Sequence, residues 1–181
     1  MLHRKSSRLH PQNYVGQGIY FLTICCDHRH PHLVNPSIAT DVRALLFQSA
    51  AANNFSIHAY CLMPDHVHIL TEGMHPTSDA LEFVRHFKQR TAFGFKRKTQ
   101  QALWEFSYYD HILSPKDQII EVARHIWWNP VRKNLCASPP DYPFSGSQTL
   151  TWRQESQVLP AWSAPWQTAE RGEARSSPRS G

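Results

Sequence analysis

The sequence predicts an α+β fold: one antiparallel sheet of four strands, helices on one of its faces, and a further helix at the end of the domain. Three observations lead there. The 181 residues, 41% of them hydrophobic and 18% charged, supply one sizeable core and not comfortably two. Short runs dense in β-branched and aromatic residues alternate with longer segments whose apolar residues recur at helical spacing. These pieces follow the order β-α-β-β-α-β with turn-forming residues between them, the split arrangement of ferredoxin-like domains.

Residues 1–17 are polar and basic and read as an N-terminal arm. GIYFLTICC, Gly18 to Cys26, is the first strand, dense in the residue types that suit a buried pleated surface. DHRHPHLVNP holds two prolines and little apolar content, so a loop follows. From Ser37 the segment is helical, because Ile38, Val42, Leu45, Leu46 and Ala50 form one apolar stripe that Asn53 and Asn54 close. SIHAYCLM and HVHILTEG are two short strands joined tightly through Pro64 and Asp65, which predicts an antiparallel hairpin. A second helix opens with Ser78 as N-cap for Leu81, Val84 and Phe87. Trp104 to Leu113 reads as the fourth strand. The third helix has Pro115 near its start and Pro130 limiting its end. Ser138 to Thr151 is loop-like. The folded domain is placed at 18–150, with 151–181 as a flexible tail rich in Ser, Pro, Glu and Arg.

Composition narrows the function. No apolar run approaches the roughly 20 residues that span a bilayer, which excludes an integral membrane protein of the helical kind. The basic start leads to no apolar run with a cleavage site, which argues against a secretory signal. Cys25, Cys26, Cys61 and Cys136 show no C-x-x-C spacing, so they read as reduced thiols of a cytoplasmic protein. The net charge of +5 suggests a polyanionic partner.

The sharpest motif is His66-Val67-His68 in YCLMPDHVHIL. On a strand, residues i and i+2 face the same way, so both imidazoles project from one sheet face, close enough to share a divalent metal. Twelve histidines make roughly one such pair expected by chance, so the spacing alone is weak. His28, His30 and His32 repeat it in a loop with no sheet to hold their rings, and rigid support is what a metal site needs.

Context strengthens the reading. YCLMPDHVHILTEG, then FVRHFKQR, WEFSYYDHIL and HIWWNPVRKNL together resemble the IS200-like transposase family, in particular its branch associated with repetitive extragenic palindromes. The resemblance runs from about Gly18 to Ser147 with the motifs in order. It implies a ferredoxin-like domain that cleaves and rejoins single-stranded or hairpin DNA with a divalent metal, Mg or Mn, and a tyrosine. It implies that His66 and His68 are metal ligands of a histidine–hydrophobe–histidine motif. It also implies a third ligand, Asn129, from the last helix; its oxygen suits a hard ion, and a helix C-cap before Pro130 is the structural alternative.

One departure matters. Where the family pattern carries its tyrosine, this chain has His125, one turn before Asn129. Three readings follow: His125 attacks DNA directly, giving a labile phosphoramidate; it serves as base or ligand while water attacks; or cleavage is lost. Tyr108 and Tyr109, on the preceding strand, read as packing residues rather than substitute nucleophiles.

DNA binding has separate support. The second helix carries Arg85, Lys88, Arg90, Lys96, Arg97 and Lys98 with no acid between Arg85 and Lys98. Such a stripe neutralises phosphates, or is simply a solvated basic face. Arg4, Lys5 and Arg8, and Arg132 and Lys133, could extend it. Trp127 and Trp128 are adjacent on a helix, so one could stack on an unpaired base while the other packs inside. The leading expectation is a metal-dependent, transposase-like protein acting on single-stranded DNA. The alternative is a non-catalytic nucleic-acid-binding protein that kept the scaffold.

Overall fold

The computed structural model describes residues 10–114 and 117–160. Arg4, Lys5, Arg8, Pro115 and most of the expected tail lie outside them. The chain runs β1 (Ile19–Cys25), α1 (Pro36–Ala52), β2 (Phe55–Met63), β3 (His66–Gly73), α2 (Ala80–Thr99), β4 (Tyr109–Ile112), α3 (Ile119–Trp127), α4 (Asn129–Arg132), β5 (Ser145–Gly146) and α5 (Trp152–Glu155). The strands form one antiparallel sheet in the order β4-β1-β3-β2-β5. No helix among the described residues is long and apolar enough to cross a membrane.

Local chemistry sets the helix starts. The Asn35 side chain accepts from the backbone N–H groups of Ser37 and Ile38, with Pro36 at the first helical position of α1. The cap of α2 is Asp79, not the expected Ser78. Its carboxylate accepts from the N–H groups of Leu81 and Glu82, where negative charge also meets the helix dipole. Ser78 instead donates to the Asn54 carbonyl and ties the helix entry to the turn after α1.

The sheet is covered on both faces, and this corrects the expectation of helices on one face. Tyr20, Leu22 and Ile24 of β1, Ile57, Tyr60 and Leu62 of β2, and Val67 and Ile69 of β3 pack with Val42 and Leu46 of α1 and Phe83 and Phe87 of α2. Phe21, Ala59, Cys61, Met63 and Leu70 look the other way, onto Val122, Ala123, Ile126 and Trp127 of α3. A strand buried on both faces reads as a continuous apolar run, which is why β2 is apolar at nearly every position. A β-bulge inserts His58 between Ile57 and Ala59 and inverts the inward–outward phase of β2 there. Its imidazole is held by Thr149 and Glu72, at 2.7 and 2.8 Å.

Three further differences have simple causes. The sheet has five strands, not four, because Ser145–Gly146 pairs with Tyr60 and Cys61 on the outer side of β2. The fourth strand is only Tyr109–Ile112, since the chain bows away from β1 between Glu105, whose N–H donates to the Cys25 carbonyl, and Tyr109, which pairs with Thr23; Trp104 makes a separate bridge with Cys26. The third helix ends before Pro130 as expected, but a further short helix follows: α3 ends at Trp127, the chain turns at Trp128, and the proline sits in the first turn of α4, where its missing N–H is no loss.

Trp127 is fully buried and its Nε1 donates to the Gly146 carbonyl at 3.0 Å, so one side chain fastens α3 to β5. Trp127→Ala should therefore lower the unfolding free energy by about 3–5 kcal/mol. Trp127→Phe, which keeps most of the packing and loses the hydrogen bond, should lie between the two in urea titrations.

Candidate metal and DNA-cleavage site

The alternation of β3 places His66 and His68 on the α3 side of the sheet and Val67 and Ile69 on the side of α1 and α2. His66 is 7% exposed and His68 is fully buried. Their Nε2 atoms converge to 2.9 Å. Each ring is fixed from behind. His66 Nδ1 lies 2.6 Å from Asp65 Oδ1, and the other oxygen of that carboxylate takes Arg29 Nε at 2.8 Å. His68 Nδ1 lies 2.9 Å from the hydroxyl of Thr23, its register partner on β1, and Phe21 stacks on the His68 ring.

These partners define what the pair can hold. A carboxylate only accepts, so His66 carries its proton on Nδ1 and a neutral His66 offers the Nε2 lone pair. The Thr23 hydroxyl can donate or accept, so His68 can take either tautomer; one of them turns its Nε2 lone pair beside that of His66. With both Nε2 atoms unprotonated, the pair offers two neighbouring lone pairs to a divalent cation. A spacing of 2.9 Å is close to the edge of an octahedron with ligand distances of about 2.1 Å, which fits a hard six-coordinate ion. Burial pushes the Asp65 carboxyl up, but the hydrogen bond and charge of His66, with the Arg29 guanidinium, outweigh it and hold it below the ordinary carboxylate value. Cys25 stands across from His66, yet burial drives its thiol up and Arg29 donates to its Sγ at 2.8 Å, so a neutral sulfur faces the pair. Among the described residues no three His, Cys, Asp or Glu side chains form a metal-holding group. Further ligands would be neutral oxygens, water or a phosphate.

A second constellation lies at the junction of α3 and α4. His125 is fully buried and Asn129 nearly so. Asn129 Nδ2 donates to the His125 carbonyl at 3.3 Å, so the side chain could reach a cation only through Oδ1. Arg132 places its two terminal nitrogens 3.3 and 3.5 Å from the two ring nitrogens of His125. A guanidinium only donates, so Arg132 engages whichever ring nitrogen carries the lone pair. The structure thus brings His66 to His68, and His125 to Asn129 and Arg132, with both groups on the α3 side of the sheet.

The other sequence candidates distribute differently. The six cations of α2 divide over two sides of the helix, Arg85, Lys88 and Lys96 on one and Arg90, Arg97 and Lys98 on the other. Several are engaged: Arg85 with Glu82, Lys98 with Asp41, Arg90 with Gln48. Trp127 belongs to the core. Tyr108 is buried beside Lys88, and Tyr109 lies on the edge strand. His28 and His30 are exposed and His32 packs on Phe95; the successive rings are neighbours, 6.1 and 5.5 Å between centroids, but do not form a metal-holding group. Sequence reasoning missed Asp65, Thr23 and the position of Arg132. Only Asp65 had a signal, being a carboxylate directly before the first histidine.

The family model described as Transposase IS200 like matches residues 14–126, and the chain belongs to that family. It is 24% identical to an uncharacterised protein of Haemophilus influenzae, over 71% of this chain and 89% of that one. A second Haemophilus influenzae protein, provisionally named REP-associated tyrosine transposase, is 22% identical over 74% and 82%. The ISDra2 transposase TnpA of Deinococcus radiodurans is 31% identical over 51% and 67%. The solved structure of a REP-associated tyrosine transposase bound to a REP hairpin shares the fold, with a TM-score of 0.66 at 19% identity, over 78% of this chain and 81% of that one.

The carboxylate behind His66 gives a direct test. Asp65→Asn should weaken Mn²⁺ binding roughly tenfold to hundredfold, as loss of such orienting partners does. His66→Ala should remove binding by calorimetry altogether.

Proposed function

We propose that this protein binds single-stranded hairpin DNA and cleaves it in the manner of a metal-dependent transposase, in the cytoplasm, where its four free thiols stay reduced. The observation that carries the reading is the convergence of the His66 and His68 Nε2 atoms, each ring oriented by its own partner. In this reading His66 and His68 hold Mg²⁺ or Mn²⁺, and Asn129 adds an oxygen through Oδ1. A divalent cation held by these residues would supply Lewis-acid stabilisation of charge on the scissile phosphate. Asp65 and Thr23 keep the imidazoles in the tautomers that ligation needs. Arg85, Lys88, Arg90, Lys96, Arg97 and Lys98 draw in the DNA backbone.

The nucleophile is the weak point of that chemistry. His125 is fully buried and covered by Arg132, so its ring does not present a lone pair to an incoming phosphate. Water is then the attacking group, with His125 as a positioning residue that holds Arg132. The same burial favours a second reading, in which the protein binds hairpin DNA and no longer cuts it.

The deciding experiment uses labelled hairpin DNA with Mn²⁺. On the leading reading the wild type cuts without a covalent adduct, and His66→Ala stops cutting. His125→Tyr should produce a stable phosphotyrosine adduct, because a phenol at that position lies one helical turn before Asn129. If both the wild type and His125→Tyr bind the hairpin and neither cuts it, the binding reading holds.

A further inference from the structure

On the other side of the sheet, a groove of about 620 Å³ runs between α2 and residues 101–108. Its floor is apolar, formed by Leu81, Val84, Leu103, Trp104 and Tyr108. Arg85, Lys88 and Lys96 line it against one lining acid, Glu105, and Arg85 is also paired with Glu82 beside it. The wall opposite α2 is an outward bow of the chain. It is fastened at one end where the Glu105 N–H donates to the Cys25 carbonyl, and at the other where Tyr109 pairs with Thr23. Lys88 holds the bow from inside, donating to the carbonyls of Glu105 and Phe106 at 2.7 and 2.9 Å, 5.8 Å from the centre of the Tyr108 ring. At the crest Phe106 is fully exposed.

That exposure needs an explanation, because the largest apolar side chain of the bow forfeits all the stabilisation that burial would return. We propose that the groove takes an unpaired base of single-stranded DNA next to a hairpin, the base stacking on Phe106 and the neighbouring phosphates meeting Arg85 and Lys96. The proposal rests on the DNA-binding reading above and names the part of the DNA that this groove reads. Two features together select the occupant. The apolar floor and the exposed ring call for a flat, weakly hydrated face, which every base has and a closed duplex hides. The cations call for negative charge beside that face; an apolar peptide would desolvate them with nothing in return. The volume falls within the roughly 300–1,000 Å³ of pockets that enclose small-molecule-sized groups, which is room for a nucleotide.

The test compares two DNA probes on the full chain: a hairpin with an unpaired flank, and the same hairpin blunt-ended. Phe106→Ala should weaken binding of the flanked hairpin roughly fivefold to hundredfold, the range for one stacked base, and leave the blunt hairpin unchanged. Phe106→Trp should restore it. A 5-iodouracil placed in the flank should photocrosslink to Phe106 or Tyr108, located by mass spectrometry. Because Phe106 packs against nothing it can lose, the variant folds, and circular dichroism checks this. If the wild type binds neither probe, the DNA-binding reading itself fails. Equal affinity of wild type and Phe106→Ala for the flanked hairpin overturns only the groove. The same holds if Phe106→Ala weakens both probes alike, or if it abolishes self-association in light scattering and leaves DNA binding intact.

Discussion

Strand β3 is the central strand of five, and both its faces are covered. That constraint governs the candidate site. Period-two alternation gives one face of β3 to Val67 and Ile69 and the other to His66, His68 and Leu70. Polar rings so placed cannot be left to solvent, and a buried imidazole without partners is costly. Each therefore has one: Asp65 from the turn and Thr23 from the adjacent strand. The partners that make burial tolerable also fix the ring orientations, and two oriented rings on one strand bring their Nε2 atoms together. The convergence of the two Nε2 atoms is a consequence of satisfying buried polar groups in the middle of a sheet.

The break between α3 and α4 shapes the second candidate group, His125, Asn129 and Arg132. A continuous helix could not place a proline at position 130 without losing a hydrogen bond and crowding the preceding turn. Turning at Trp128 puts Pro130 in a first turn, where it is tolerated, and brings Arg132 back over His125. The His125 carbonyl then takes N–H groups from both Asn129 and Arg132. A buried histidine engaged by a guanidinium is differently placed from a tyrosine whose hydroxyl must reach a phosphate. The substitution at position 125 therefore changes access as well as nucleophilicity.

Much of the fold was legible because it rests on periodicity. Strand β1, helix α1 and the β2–β3 hairpin follow from alternation and from one apolar stripe, and so does the common facing of His66 and His68. What was not legible has no periodic signal. Ser145–Gly146 is too short to alternate, and it joins the sheet because Trp127 and β2 hold it. The strong amphipathic pattern of α3 says that it buries a face, but not which side of the sheet receives it. Thr23 is 45 residues from His68, and only strand register makes them neighbours. Ser78 and Asp79 are both good caps, and the choice between them falls to a serine already engaged by the turn after α1.

The sheet also separates two tasks. The histidine pair and the α3–α4 junction lie on one face, whereas the cationic groove of α2 and the Phe106 bow lie on the other. The two layers share strands but not side chains, since neighbouring residues on a strand point apart. A change at position 125 therefore perturbs the α3 layer and leaves Arg85, Lys88 and Phe106 where they are. Substitutions far apart with no shared partners act nearly additively. Binding without cutting is thus physically coherent for this scaffold: the side chains that would hold the strand do not depend on those that would break it.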